Sequence, residues 1–380
     1  MSAPSRTTEN LVIGGGLAGA MVGLRLAAAG REVTLLERER SAHHKVCGEF
    51  LSREAVELLE GAGVHLLELG AEVIRTIRLA SKQRLVEAAL PFTALSLSRC
   101  VLDEALLARA AQAGCRVQRG AHVESLEMRN GLWQAQLRGG APRCAQTVFL
   151  ASGKHDLRGH ERGRGAQSDL VGFKMHWKLA SAQTDELRGC MELFLFHGGY
   201  GGLSLVENGI ANFCLVVRRS ALRKLGGWSP LLDAIRKEVA HIALRLDGAT
   251  ALWERPLAIS AIPYGYMAGN NSRMWCVGDQ AAVIPSFTGD GMSIALHSAN
   301  LAAQIYLGGE SVERYSEALR TQLRSSMRLA TVLSQAMVTP AGRAFASLGL
   351  SIFPGAMNRI ARSTRIPERA LRGTGVVARS

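Results

Sequence analysis

The residues with the clearest potential for chemistry form a glycine-rich loop near the start of the chain, Gly14-Gly15-Gly16-Leu17-Ala18-Gly19. An apolar strand over 10–13 precedes this loop and a helix over 18–29 follows it, the context in which such glycines bind a pyrophosphate. The N–H groups at the start of the helix, together with its dipole, favour an anion. The loop therefore predicts a dinucleotide cofactor; the alternative is a glycine-rich turn without a ligand.

An acidic residue follows at the spacing of a dinucleotide site. Glu37 lies roughly 20 residues beyond the loop, after a second strand over 32–36, where its carboxylate would accept hydrogen bonds from ribose hydroxyls. A 2′-phosphate would be repelled there. The residues assigned to cofactor binding in this unit are Gly14, Gly16, Leu17, Ala18, Gly19, Glu37 and Arg38.

A second glycine pattern occurs late in the chain, from Gly278-Asp279 to Met292, and leads into a helix. A cofactor that extends across the protein needs such an element to hold its middle part. Asp279 would bind ribityl hydroxyls, and the helix after Gly291 would direct N–H groups at a flavin's pyrimidine oxygens. The two patterns together predict FAD, with Asp279, Gly289, Gly291 and Met292 as further binding residues. The alternative for this segment is a loop with a helix-capping aspartate.

These patterns, with the helix start Ser98-Arg99-Cys100-Val101-Leu102-Asp103, resemble the FAD-dependent monooxygenase and geranylgeranyl reductase superfamily, which has the p-hydroxybenzoate hydroxylase type of fold. The resemblance runs from about residue 10 to about residue 305. It implies that Arg99 lies beside the cofactor and that Asp279 touches the ribityl chain. Taken alone, Arg99 would be a surface residue or an N-terminal helix residue.

The resemblance also implies the fold class, α/β, with a Rossmann-like FAD-binding domain interleaved with an antiparallel β-sheet substrate domain and followed by C-terminal helices. The expected FAD-binding domain is discontinuous and comprises residues 1–75, 99–165 and 260–310. The expected substrate sheet comprises 76–98 and 166–259. Residues 311–380 are expected to form a basic helical extension.

Hydrophobic patterns locate the elements that would position these residues. Further helices are predicted over 53–62 and 99–113, and the chain is predicted to be helical from about residue 310. Further strands are predicted over 73–79, 116–119, 122–128, 133–137, 147–151, 191–196, 212–217 and 274–277.

Two segments depart from patterns found elsewhere in the superfamily. Ser152, in Ala151-Ser152-Gly153, stands where aromatic hydroxylases have the aspartate of an Asp-Gly motif, a form more similar to the reductase and halogenase branches. The reductant is therefore left open as NAD(P)H or a separate electron donor. The halogenase motif WxWxIP is missing from the comparable stretch 259–263, which disfavours halogenation.

Three more side chains are candidates for contact with flavin or substrate. The segment Cys47-Gly48-Glu49 resembles the Cys-Gly segment near the flavin ring of the reductase branch, so Cys47 and Gly48 are assigned to the cofactor. The alternative for Cys47 is a buried, inert thiol. Glu49 would form a hydrogen bond to cofactor or substrate. The alternative is a charged residue that precedes a helix and has no role in binding. Tyr200 would line the substrate pocket with its ring and hydroxyl, or serve only in a turn.

No catalytic side chain is identified. The sequence has no Ser/His/Asp set and no metal-ligand spacing, so no metal is expected. His43 and His44 suggest exposed or phosphate-adjacent charge, and His155 suggests a structural role. The flavin would therefore supply the chemistry.

Three functions follow as hypotheses. The first is a monooxygenase, in which reduced FAD binds O2 at C4a as a (hydro)peroxide and transfers one oxygen atom to a hydrophobic or aromatic molecule. The second is a geranylgeranyl reductase-like enzyme, in which FAD reduces or oxidises a carbon–carbon bond. Cys47-Gly48 and Ser152-Gly153 favour the second, whereas the size and diversity of the superfamily favour the first, which we place ahead. The third is a non-catalytic nucleotide- or lipid-binding protein of the same fold.

Composition limits which binding partners and which cellular compartment are expected. The 380 residues include no apolar run of the roughly 20 residues that span a bilayer, and the seven cysteines are scattered without CxxC spacing. We therefore expect a soluble, two-lobed protein of the reducing cytoplasm. The net charge of +13 suits anionic lipid, an acidic carrier protein or an anionic substrate. Nucleic acid is not expected, because no basic run is interleaved with aromatic residues.

The C-terminal tail is rich in arginine. One interpretation is a solvated end. The other is a surface for anionic lipid or an acyl-carrier protein, which would make the protein peripheral to the membrane and suit a hydrophobic substrate. The arginines concerned are Arg359, Arg362, Arg365, Arg369 and Arg372.

Overall fold

The computed structural model describes residues 7–269, 273–342, 362–367 and 370. Within these ranges the chain forms two large β-sheets, a two-stranded ribbon and helices that pack on the sheets. The flavin site predicted from the sequence depends on how the two sheets meet.

The described residues include eighteen strands, nine α-helices and three short 3-10 helices, at Glu207–Gly209, Gly278–Gln280 and Ser286–Thr288. The strands are β1 (Thr7–Ile13), β2 (Val33–Glu37), β3 (Phe50–Leu51), β4 (Glu72–Ser81), β5 (Arg84–Ser96), β6 (Arg116–Arg119), β7 (Val123–Arg129), β8 (Leu132–Leu137), β9 (Arg143–Leu150), β10 (Leu170–Lys178), β11 (Cys190–Phe196), β12 (Gly199–Val206), β13 (Ile210–Arg218), β14 (Thr250–Ala251), β15 (Leu257–Ser260), β16 (Tyr266–Met267), β17 (Trp275–Cys276) and β18 (Ala282–Val283). The helices are α1 (Leu17–Ala28), α2 (Arg53–Glu60), α3 (Arg99–Gln112), α4 (Ser181–Leu187), α5 (Arg219–Leu225), α6 (Trp228–Glu238), α7 (Ala240–Arg245), α8 (Gly291–Leu307) and α9 (Val312–Met337).

The first sheet contains the predicted βαβ unit. Its strand order is β6-β2-β1-β9-β8-β7, with β17 beside β9. β1 pairs in parallel with β2 and β9, so that Val12 lies opposite both Leu35 and Phe149. α1 connects β1 to β2 and packs with α3 and α8. All five residues of β2 are buried, as expected for a parallel strand that is covered on both faces.

The second sheet is assembled from separate parts of the chain. Its order is β14-β10-β13-β12-β11-β4-β5-β3, with β15 beside β10. Neighbouring strands are antiparallel except for β4 and β11, which run in parallel with Thr76 opposite Cys190. The predicted fold class is confirmed, and this parallel pair is an addition to the predicted antiparallel sheet. The predicted domain limits stay predictions.

Apolar side chains pack on the two large sheets in separate clusters. The largest cluster lies over the first sheet and includes Met21 of α1, Leu106 of α3 and Leu296 of α8. Helices α6 and α7 cover one side of the second sheet with Ile235 and Ile242. The cluster that contains Leu195 and Tyr200 of the second sheet packs instead against residues 262–264 and the end of α9.

The C-terminal helices of the predicted fold class are present. α8 has 17 residues and α9 has 26. Tyr315 of α9 donates its hydroxyl hydrogen to the carbonyl oxygen of Cys276 in β17 at 2.8 Å, which ties α9 to the first sheet. None of the described helices combines the length and the apolar character needed to cross a membrane.

Candidate functional site

The glycine loop joins β1 to α1 with a geometry that needs glycine at two positions. Gly14 has φ +105°, and a Cβ atom there would lie 2.4 Å from the carbonyl oxygen of Ala151. A Cβ atom at Gly19 would lie 1.8 Å from the carbonyl oxygen of Gly14. Gly14 therefore permits the turn, and Gly19 permits the close packing of helix against loop.

Gly16 faces open space at the start of α1. A Cβ atom at this position would lie at ordinary contact distance from three side-chain atoms, 3.5 Å from Arg99 Nη2 and Lys45 Nζ and 3.9 Å from Asp103 Oδ2. No side chain caps the N-terminus of α1, so its first N–H groups keep the capacity to bind an anion.

Asp103 holds the two cations that lie over the loop. Its carboxylate accepts hydrogen bonds from Arg99 Nε at 2.7 Å and from Lys45 Nζ at 2.7 Å. Burial would raise the pKa of Asp103, but the charges of Arg99 and Lys45 outweigh burial and hold the pKa below its usual value. Two cations and one anion leave a net positive charge beside Gly16, which suits a pyrophosphate.

Glu37 is buried at the end of β2 and binds the loop itself. Its Oε2 atom accepts a hydrogen bond from the N–H of Gly15 at 2.7 Å, and Oε1 accepts one from the N–H of Glu39 at 2.8 Å. Each oxygen keeps a lone pair that could accept a ribose hydroxyl. The neighbouring Arg38 places Nη2 3.1 Å from His155 Nε2 at the rim.

Glu49 is completely buried, and its backbone lies in the left-handed region with φ 57°. Its Oε1 atom accepts the N–H of Arg99 at 2.7 Å and a hydrogen bond from Lys174 Nζ, and Oε2 lies 3.0 Å from His176 Nε2. Burial would raise the pKa of Glu49, but the His176 hydrogen bond and the Lys174 charge hold it below its usual value. This network fixes the segment that carries Cys47, whose carbonyl accepts a hydrogen bond from Asn212 at 3.2 Å.

His44 belongs to the same cluster and is partly buried, so the exposed alternative of its prediction is wrong, whereas the phosphate-adjacent alternative stays a prediction. Its ring lies 4.8 Å from that of His176 and 4.9 Å from that of Trp253, and burial followed by the charge of Lys174 lowers its pKa. The ligand atoms of His44, Glu49 and His176 lie within 4.8 Å of one another, as in a metal site. Because Lys174 already supplies a positive charge to the carboxylate, we assign no metal to this cluster.

The late glycine pattern forms the opposite side of the site. Gly289 has φ +73°, and a Cβ atom there would lie 2.5 Å from the Phe50 ring. α8 begins at Gly291, and the side chain of Asp290 makes no capping hydrogen bond to it. The first N–H groups of α8 therefore remain available beside Gly291 and Met292.

One cavity of about 610 Å³ joins these parts. The predicted residues that line it are Gly14, Gly16, Leu17, Ala18, Glu37, Arg38, Cys47, Gly48, Glu49, Arg99, Tyr200, Asp279, Gly289, Gly291 and Met292. Gly19 is not among the lining residues, because it packs against Gly14 instead. The structure therefore brings the two glycine patterns and the Cys-Gly segment together at one site.

Beyond the glycine patterns the cavity becomes a mostly apolar chamber. Its apolar lining residues come from the β4–β5 hairpin, β11, residues 257–262 and α9 and include Ile77, Leu79, Leu90, Met191, Leu193, Leu195, Ile262, Leu333 and Met337. Tyr200, Tyr264 and Ser286 add hydroxyl groups to this lining. Tyr200 Oη lies 3.2 Å from Ser334 Oγ, and Ser286 is hydrogen-bonded to both tyrosines. Burial raises the pKa of both phenols.

Several polar residues of the site were not predicted from the sequence. Lys45 and Asp103 lie within segments that carried the resemblance, but nothing in their spacing revealed that they meet. Lys174 and His176 lie in β10, where every residue from Leu170 to His176 is buried. Such a strand is typical of a protein core, so neither side chain stood out as part of a site. Tyr264 lies near a turn and carries no motif, and Ser286 lies within the late glycine pattern but had no predicted role.

An extended dinucleotide fits these residues. The loop offers uncapped N–H groups beside two cations, Glu37 offers free lone pairs, and the open position at Gly16 leaves room for phosphate. Asp279 and the first turn of α8 line the same cavity farther on.

Comparison with known proteins agrees with this fit. Residues 7–149 match the family model described as an FAD binding domain. The chain therefore resembles FAD-binding domains in sequence over these residues, and the solved structures described below extend the likeness to the fold. FAD is thus confirmed as the cofactor and FAD-binding oxidoreductase as the class of protein, whereas NAD(P)H as reductant stays a prediction.

Two curated relatives of this flavoprotein are named menaquinone reductase. One, from Mycolicibacterium smegmatis, is 26% identical over 334 residues, which cover 83% of this chain and 80% of the relative. The other, from Mycobacterium tuberculosis, is 26% identical over 327 residues, 79% of this chain and 76% of the relative.

Solved structures show the same fold at low sequence identity. The halogenase PltM superposes with a TM-score of 0.74 at 16% identity, covering 96% of this chain and 86% of that chain. A flavoprotein/dehydrogenase from Cytophaga hutchinsonii superposes with a TM-score of 0.73 at 16% identity, covering 97% of this chain and 99% of that chain.

Proposed function

We propose that this flavoprotein reduces a hydrophobic substrate that bears an oxygen function, by hydride transfer from reduced FAD, regenerated by an external electron donor, to a conjugated carbon–carbon bond or a quinone ring. The observation that carries the proposal is the apolar chamber that continues from the flavin site and has neutral tyrosine hydroxyls in its wall. The relatives named menaquinone reductase support the choice of substrate class, because a menaquinone combines an apolar body with ring oxygens.

The chamber favours a substrate with a large apolar surface. Leucine, isoleucine and methionine side chains from four parts of the chain line it. Each methylene of a substrate buried there contributes about 0.8 kcal/mol to binding. A small polar substrate would gain little from such a lining.

The tyrosines support reduction over oxygenation. Because burial raises the pKa of Tyr200 and Tyr264, both hydroxyls keep their protons at neutral pH. A substrate carbonyl oxygen would accept hydrogen bonds from these hydroxyls in place of Ser334 and Ser286, their present hydroxyl partners. Hydride addition to a conjugated carbonyl compound builds negative charge on that oxygen, which such donors stabilise. A proton taken up by the substrate completes the balance of the reduction.

Hydroxylation remains the second candidate, because the same tyrosine pair can hold a phenolic oxygen. Hydroxylation would be assisted by a base that removes the phenol's proton. Because their pKa values are raised, Tyr200 and Tyr264 stay protonated at neutral pH and do not suit the role of this base. We therefore place reduction ahead of hydroxylation. This reverses the order that the size and diversity of the superfamily favoured, and it agrees with the Cys47-Gly48 and Ser152-Gly153 segments.

The test uses the FAD-loaded enzyme, reduced by dithionite without oxygen and mixed with a short-chain menaquinone. We expect reoxidation of the flavin, followed by absorbance near 450 nm, and a product heavier by two hydrogens. The same mixture under ¹⁸O2, with phenolic and apolar substrates, reports oxygenation through incorporation of label. Reoxidation that requires O2 and labels the substrate would establish hydroxylation instead, and a flavin that no substrate reoxidises would support a binding protein.

Matched variants test the tyrosine assignment. Tyr200→Phe and Tyr264→Phe should lower the rate of anaerobic flavin reoxidation while leaving FAD bound. Tyr266→Phe is the control, because Tyr266 lies in β16 and is not among the residues that line the cavity. Equal rates in all three variants would remove the tyrosines from the proposal.

A further inference from the structure

Arg365 lies in the C-terminal segment 362–367 and enters the wall of the cavity together with Thr364. Its Nη1 atom donates a hydrogen bond to Asp290 Oδ1 at 2.8 Å and lies 3.6 Å from Glu54 Oε2. The guanidinium carbon is 4.2 Å from the centroid of the Phe92 ring. Only 9% of the Arg365 side chain is exposed, so this residue is neither solvated nor available to a surface partner.

Arg365 balances the charges of two carboxylates beside the first turn of α8. Asp290 is completely buried and immediately precedes α8, whose first turn lines the cavity. Glu54 of α2 is also buried, so two carboxylates approach one cation. Without this cation the buried carboxylates would either stay charged without compensation or be forced to take up protons, and both outcomes are costly. Arg365 therefore stabilises the arrangement of α2, α8 and the C-terminal segment around the cavity.

We propose that residues 362–367 form a strap across the flavin cavity and that Arg365 is a positioning residue, acting through Asp290 on the first turn of α8. The strap and the cofactor then assist each other. If a docked strap holds the first turn of α8 in the conformation that binds FAD, bound FAD must favour the docked strap by the same factor. The strap adds to the FAD site a part of the chain that lies outside both glycine patterns.

Two measurements test both directions of this coupling. The first is the Kd of the full-length protein for FAD, by fluorescence titration of the apoprotein. The second is hydrogen exchange of the peptide that spans 362–367, with and without FAD. The variant Arg365→Met removes the charge and keeps the apolar length of the side chain. The control is Arg362→Met, because Arg362 is exposed in the same segment.

In the wild type and in Arg362→Met, FAD should slow exchange across 362–367. In Arg365→Met, exchange should be fast with or without FAD, and the Kd for FAD should rise by a factor within the usual coupling range of about 5 to 150. Arg365→Lys should restore part of the affinity, because it keeps the charge but lacks the planar guanidinium that packs over the Phe92 ring.

Either of two results would overturn the proposal. One is a Kd for Arg365→Met within twofold of the wild type. The other is wild-type exchange across 362–367 that does not respond to FAD. If Arg365→Met fails to fold, as judged by circular dichroism, the wild-type exchange experiment and Arg365→Lys decide the question alone.

Discussion

Lys174 donates a hydrogen bond to Glu49 in a pair that is completely shielded from solvent on both sides. Lys174 and His176 project from the same face of β10, and both reach the segment that follows Cys47. The second sheet therefore positions the Cys-Gly segment of the flavin site through one carboxylate.

Replacing Lys174 by Met should destabilise the protein strongly. The substitution leaves the Glu49 charge buried without its main partner, and breaking such a pair costs about 3–5 kcal/mol. Chemical denaturation measures the change in the free energy of unfolding. Arg138→Met is the control, because the Arg138–Glu124 pair is mostly exposed and should contribute about 1 kcal/mol or less. Similar losses in both variants would contradict the importance of burial.

Replacing Gly16 by Val should abolish FAD binding without unfolding the protein. The Cβ position has room, with its nearest atoms at 3.5 Å, but the branched side chain would fill the space of the pyrophosphate. The measurement is FAD released on denaturation of the purified protein, with thermal melting to show folding. Gly140→Ala, in a loop outside the cavity, should retain FAD. Stoichiometric FAD in Gly16→Val would refute the assignment of the loop.

Replacing Asp279 by Asn should weaken FAD binding. The loss of one hydrogen bond to a charged group costs about 1.5–3 kcal/mol, roughly a 10- to 150-fold rise in Kd. A change in the reduction potential of the bound flavin is also expected, because a charge near the ribityl chain is removed. Asp233→Asn, an exposed position in α6, should match the wild type in both measurements. A wild-type affinity and potential for Asp279→Asn would reject the role of this residue.

Asp290 should make stability depend on pH. Burial raises the pKa of Asp290 to about 7 in the native protein, against 3.8 for an ordinary aspartate. Between these values the native state binds more protons than the unfolded state, so the Asp290 contribution to stability falls as pH rises from 5 to 8. Relative to Asp290→Asn, the wild type should lose up to about 3 kcal/mol over this range. Parallel pH profiles of the two proteins would show that Asp290 ionises normally.

Cys115 and Cys214 should resist alkylation in the native protein. Burial raises the pKa of each thiol to about 12, so at pH 8 only about one molecule in 10,000 carries the reactive thiolate. Peptide mass spectrometry after iodoacetamide treatment measures the modification. Both thiols should react fully once guanidinium unfolds the chain. Rapid native labelling of either thiol would contradict the raised pKa.

Short-range patterns were sufficient to predict the first sheet. β6 begins and ends where it was predicted, and the predicted helix over 99–113 is α3 (Arg99–Gln112). β9 begins at Arg143 rather than Thr147, because its first residues pair with β8. Helices α4 to α7 were not predicted, since they are short and lie in a region where strand patterns dominate.

Long-range contacts explain what the sequence did not reveal about the site. Glu49 meets Lys174 and His176 because of the register and orientation of β10, which no local pattern specifies. The same is true of Arg365, which was interpreted as part of a solvated or partner-binding tail and instead contacts Asp290. Arg362 is exposed, whereas Arg359, Arg369 and Arg372 lie outside the described residues, so a surface for lipid or a carrier protein stays a prediction.

The parallel pairing of β4 with β11 delays completion of the second sheet while the protein is being synthesised. As the chain leaves the ribosome, the β4–β5 hairpin is complete long before Cys190–Phe196 is made, and β4 presents an unpaired edge during that interval. α8, which supplies the second half of the flavin site, emerges later still. A prematurely terminated chain that ends before β11 therefore combines an open sheet edge with an incomplete cofactor site, and such chains are substrates for chaperones or proteases.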